Sequence, residues 1–106
     1  MAAAKLGLLL STAPSHSSVE MVFQLARAAL RQGVDVYLYL IDEGVKSLKD
    51  ARYLELVSSG VKMSVCAYGC QQHGVSTQDI DSRISLSGLV VLSSIIDGCD
   101  RFLAFT

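Results

Sequence analysis

The apolar positions alternate between short continuous runs and stretches with helical spacing. Residues 6–10 form an apolar run broken only by Gly7. Runs of this kind mark strands buried on both faces, as in parallel sheets. A turn-rich loop follows, with Ser11, Thr12, Ser15, His16, Ser17 and Ser18 around the chain's single proline, Pro14. Val19, Val22, Phe23, Ala26, Ala29 and Leu30 then recur at helical intervals. Ser17 and Glu20 fit the S-x-x-E capping box that opens such a helix, because each side chain satisfies the other residue's free backbone donor. Gly33 supplies the stop.

The same signals then repeat. Residues 34–41, rich in Val, Tyr and Leu, predict a second strand closed by Asp42, Glu43 and Gly44. A second helix is predicted from Ser47, with Asp50 three residues on, to Gly60. Residues 61–65 predict a third strand that leads straight into Cys66. Residues 71–85 are polar, with room for a short helix and a short strand. Residues 86–96 are apolar, and their length favours helix over strand. Residues 101–105 predict a last strand.

Strands alternating with helices predict a three-layer α/β/α sandwich with a mostly parallel sheet of four to five strands. No repeat, linker or low-complexity run interrupts the chain, so one domain over residues 1–106 is expected. Right-handed crossovers place helices on both faces. Sites in such sheets gather at the C-terminal strand ends. Those ends are residues 12–16, 42–44 and 66–70, and Thr106.

Composition narrows the function. Hydrophobic residues make up 51% of the 106 and charged residues 18%, too apolar a mixture for a disordered segment. Nine basic and ten acidic residues leave a net charge of −1, with no basic field to attract nucleic acid. The uncharged stretch at residues 84–96 is too short to span a bilayer, so no membrane partner is expected. The apolar run at residues 6–10 is short for a secretory segment, and a cytoplasmic protein is expected. Three cysteines are an odd count that fits no disulfide scaffold.

Cys66 falls where a strand gives way to a loop. A helix starting there would favour a thiolate, the reactive form of the group. Cysteine is equally a common buried residue, and that reading stays open. Cys70 shares a helix face with Cys66 at this spacing. The pair can form a transient disulfide, or one thiol can resolve a persulfide on the other; simple packing is the plainer role for Cys70. Cys66, Cys70 and His73 have the chemistry of zinc ligands but lack a fourth partner, and no metal is expected. No G-x-G-x-x-G and no Walker lysine occur, and no cofactor is expected. His16 and His73 are read as solvated or bonded to backbone, and Asp42 and Glu43 as facing solvent. Cys99 is expected to pack at a turn at the far end of the last strand. Met21 and Met63 are read as core, and Tyr37 and Tyr39 as covering a sheet face or an interface.

In this order the residues resemble the DsrE/TusD-type sulfur-relay family. The likeness runs over nearly the whole chain. It includes the apolar first strand, the Pro14 loop before an Ala- and Leu-rich helix, and Gly33 before a Val/Tyr strand ending in Asp42-Glu43-Gly44-Val45. It continues through Cys66, Gly74-Val75 and the closing Gly98-Cys99-Asp100-Arg101-Phe102-Leu103. The resemblance implies a persulfide carrier of the sulfurtransferase type, with Cys66 as the sulfur-bearing cysteine and Cys70 as an added thiol found in some branches. It also implies sulfur-donor and sulfur-acceptor proteins as partners, and a homo-oligomer (trimer or hexamer) or a mixed complex with related subunits. Two other readings stand beside it: a non-catalytic structural or regulatory subunit, and a Cys66/Cys70 dithiol redox switch.

Overall fold

The computed structural model describes residues 3–106. Met1 and Ala2, the first two residues of the expected 1–106 domain, lie outside the described residues. The elements run β1 (Lys5–Leu10), α1 (Ser17–Arg31), β2 (Asp35–Leu40), a 3₁₀ segment (Asp42–Lys49), α2 (Ala51–Ser58), β3 (Lys62–Cys66), α3 (Ala67–Gln72), β4 (Ser85–Ser87), α4 (Leu89–Gly98) and β5 (Arg101–Phe105). The five strands form one sheet in the order β4-β3-β2-β1-β5, and every pairing is parallel. The predicted α/β/α architecture is therefore present with its upper strand number.

Topology explains the layers. From β1 to β4 the chain steps in one direction, so right-handed crossovers leave α1, α2 and α3 on one face. The step from β4 back to β5 runs the other way and carries α4 onto the opposite face. Leu8, Leu10, Val36, Leu38, Leu40, Met63 and Val65 are buried beneath the first group of helices. Gly7 lies under α4, where a Cβ would come within 3.0 Å of Ile95 and 2.9 Å of Phe102. Only Ile95 of α4 is buried, while Val90 is 82% exposed.

Two helix starts differ from the sequence reading. The cap of α1 is His16, whose Nδ1 accepts from the Ser18 N–H at 3.1 Å. Ser17 already belongs to the helix, and Glu20 accepts from Gln24 and pairs with Arg52 instead of closing a capping box. The extended backbone of His16 brings an imidazole acceptor to a place usually filled by a short polar side chain. Similarly, α2 starts after Asp50, which accepts from the Arg52 N–H at 2.8 Å. Ser47, the expected start, is buried inside the 3₁₀ segment. Gly44 in that segment lies so close to Leu10 that a Cβ there would collide with the Leu10 carbonyl oxygen.

The apolar stretch at residues 86–96 divides. Leu86 belongs to β4, and the extended Gly88 separates it from α4. Met63 is core as expected, but Met21 is 57% exposed on the outer side of α1. Gly33, with φ of +76°, adopts the left-handed conformation that ends α1. No helix among the described residues is long and apolar enough to cross a membrane.

Candidate functional site

An all-parallel sheet delivers every strand's C-terminal end to the same side, so the loops after β2, β3 and β4 meet there. They enclose an open cavity of about 580 Å³ with Ile41, Ala67, Tyr68 and Leu89 in its walls. Cys66, the last residue of β3, lines it. Its side chain is the N-cap of α3, and its sulfur accepts from the Gly69 N–H at 3.4 Å. Cys66 is 6% exposed, recessed at the cavity's base rather than sealed within the core. Gly69 fits because a Cβ there would lie 2.9 Å from Val45 of the 3₁₀ segment. At the topological switch point between β1 and β5 the Ser11 N–H continues the ladder by donating to the Phe105 carbonyl oxygen at 3.0 Å, and neither strand's end contributes to the cavity lining.

Strand register gathers two hydroxyls beside Cys66. Ser87 of β4 is its in-register neighbour. Tyr39 of β2 pairs with Ser64, which shares a sheet face with Cys66 by strand alternation. Tyr39 is fully buried. Neither Tyr39 Oη nor Ser87 Oγ has a hydrogen-bond partner, although both atoms are buried. The Tyr39 phenol is pushed up to about 12, first by burial and then by Cys66 close beside it, with Ser87 pulling the other way. It therefore stays protonated, and a donor, across the neutral range.

The other cysteines have different settings. Cys70 follows on α3 but turns into the core at 1% exposure. Its thiol is pushed up, first by burial and then by the charge of Cys66. Cys99 caps the C-terminal end of α4, at the opposite end of the sheet, packed against Gly7. All three are free thiols.

His73 departs from its solvated reading, whereas Asp42 stays largely exposed as expected while pairing with it. His73 Nε2 lies 2.8 Å from Asp42 Oδ1 and its Nδ1 lies 3.8 Å from Glu43 Oε1. The contact joins the end of α3 to the start of the 3₁₀ segment. Asp42 reaches it from a backbone φ of +52°. His73 is thus committed to carboxylates, and no group of three or more His, Cys, Asp or Glu among the described residues is placed to hold a metal ion.

Cys66 was legible in the sequence as a strand-end thiol and Tyr39 as a covering residue, but the place of Ser87 beside them was not. Alternation along residues 35–40 carried a signal for the face of Tyr39. Nothing in the polar stretch before Ser85 gave the register of β4.

The chain matches the DsrE/DsrF-like family over residues 4–105. Among solved structures it is similar to the ychN protein of E. coli, at 22% identity and a TM-score of 0.85 over 96% of this chain and 99% of that one. It is also similar to a protein of unknown function from Methanobacterium thermoautotrophicum, at 15% identity and a TM-score of 0.78 over 96% and 99% of the two chains. A conserved protein of unknown function from Bacteroides thetaiotaomicron gives 19% identity and a TM-score of 0.77 over 95% and 94%. These likenesses show a shared fold. No curated protein matches the chain significantly.

Proposed function

The chain belongs to the DsrE/DsrF-like family, and from that premise we propose that it is a cytoplasmic sulfur carrier holding a persulfide on Cys66. One observation carries this reading: the Cys66 sulfur lies at the base of an open, apolar cavity, with a backbone N–H aimed at it. A reactive sulfur needs access for its partners and protection from stray thiols, and a recessed position gives both.

The transfer balances without an external oxidant, reductant or cofactor. The Cys66 thiolate attacks the outer sulfur of a donor persulfide. A bond forms between Cys66 Sγ and that outer sulfur, and the donor's S–S bond breaks. The electron pair leaves on the donor's inner sulfur, which takes up a proton. An acceptor thiolate then attacks the same outer sulfur, and Cys66 departs as a thiolate. Donor and acceptor are protein thiols in this scheme, docked in turn over the cavity mouth.

Burial of Cys70 favours one working thiol over a dithiol switch, because a thiol pushed up by an apolar setting is a poor nucleophile at neutral pH. Cys70 then serves as packing beneath α3. The apolar, exposed outer face of α4 supports assembly into a trimer, a hexamer or a mixed complex with related subunits.

The test is mass spectrometry after anaerobic incubation with a persulfide donor. A single-sulfur adduct is expected on the wild type and on Cys70→Ser, and none on Cys66→Ser. No adduct on the wild type overturns the carrier. A non-catalytic subunit would also show alkylation of Cys66 by iodoacetamide no faster than that of an ordinary thiol.

A further inference from the structure

Buried hydroxyls without partners are rare, because each forfeits its hydrogen bonds to water and gains none in return. Two of the four such side-chain atoms among the described residues, Tyr39 Oη and Ser87 Oγ, flank the same sulfur. Their strands place them there independently, Tyr39 from β2 and Ser87 from β4. Cys66 stands between on β3, and the cavity walls above it are apolar. Folding has thus left two polar atoms unsatisfied at the one point where a cargo atom would arrive.

We propose that the Tyr39 and Ser87 hydroxyls form a seat for the outer sulfur of a Cys66 persulfide, donating hydrogen bonds to that sulfur when it is loaded. The inference rests on the carrier reading and adds to it which groups hold the cargo. A perthiolate sulfur is an anionic acceptor, and donors to charged groups are the stronger class of hydrogen bond. The apolar walls leave few competing donors within the cavity. A phenol pushed up to about 12 keeps its proton beside such an anion, so it donates rather than repels. The seat also gives the two hydroxyls a partner that the protein's own side chains and backbone do not supply.

The isosteric change Tyr39→Phe makes the test clean, since it deletes a hydroxyl that has no partner in the unloaded protein. Its thermal midpoint is expected to match or exceed that of the wild type. The persulfide, loaded with the same donor and followed by mass spectrometry, is expected to discharge to added dithiothreitol on the order of tenfold faster, as loss of a charge-assisted hydrogen bond predicts. Ser87→Ala is expected to act in the same direction, and Ser87→Thr, which restores a hydroxyl, to recover most of the lifetime. If the wild type loads and both Tyr39→Phe and Ser87→Ala hold the sulfur as long as it does, the seat is overturned while the carrier stands. A lower midpoint in Tyr39→Phe also overturns it, by showing that the phenol is already bonded in the unloaded state. A wild type that never loads removes the carrier, and the seat with it.

Discussion

The Tyr53 hydroxyl donates to the Val19 carbonyl oxygen at 2.8 Å, fastening α2 to α1 in the buried layer. Tyr39 is just as buried, yet its hydroxyl has no partner. The two phenols therefore separate the worth of a satisfied group from that of an unsatisfied one. Tyr53→Phe is expected to lower stability by about 1 kcal/mol, because the Val19 carbonyl loses the phenol bond it accepts in addition to its place in α1. Urea unfolding of the two Phe variants side by side checks the contrast.

Both phenols also bear on how the fold responds to alkali. Burial is the first cause of the upward push on each, with Tyr39 reaching about 12 and Tyr53 raised further. An unfolded tyrosine ionises near pH ~10. The native state therefore keeps protons that the unfolded chain releases. This contribution is complete below pH ~10 and is lost as pH rises through the folded values. Unfolding free energy measured from neutral pH upward should fall above pH ~10, and less steeply in Tyr39→Phe.

The acid limit has a different origin. The Asp50 carboxyl is held below its ordinary range, first by its hydrogen bond from the Arg52 guanidinium, with the cap contact to the Arg52 N–H adding to it and burial opposing. Its folded value lies below its unfolded one, so its stabilisation is present above the unfolded value and lost as pH falls through the folded one. Asp50→Ala removes the cap of α2 at a cost of about 1 kcal/mol at neutral pH. Its stability curve should also fall less below pH ~4 than that of the wild type.

The His73–Asp42 contact holds the end of α3 against the 3₁₀ segment. Asp42 is largely exposed, so the pair is expected to contribute no more than about 1 kcal/mol to global stability. Its local effect should be larger. In His73→Ala, amide hydrogen exchange at residues 68–72 is expected to quicken while β1 and β2 keep their protection. Asp42→Asn should be milder than Asp42→Ala, because asparagine tolerates positive φ and keeps an acceptor.

Much of the fold was legible because burial writes itself into spacing. Leu8 and Leu10 of the run at residues 6–10, and Val19, Val22, Phe23, Ala26 and Ala29 of the helical recurrence, are buried, while Leu6, Leu9 and Leu30 are partly so. The place of Cys66 was legible for the same reason, since a strand that runs straight into a cysteine is a local pattern. Helix caps were less so. His16 and Asp50 cap through backbone geometry that Ser17 and Ser47, better residues by preference alone, happened not to adopt. The contacts of Tyr39, Ser87, His73 and Asp42 were invisible, because each joins parts of the chain that only the sheet order brings together.

β4 has three residues and pairs on one side only. Few backbone bonds must break to peel so short a margin away, far fewer than to part β2 from β1. Ser87 therefore rides on the least tethered strip of the sheet, and the wall beside Cys66 is the part of the framework most cheaply displaced. Delivery and release of a bound atom would then require only a local breathing of the margin, with the deep layers undisturbed.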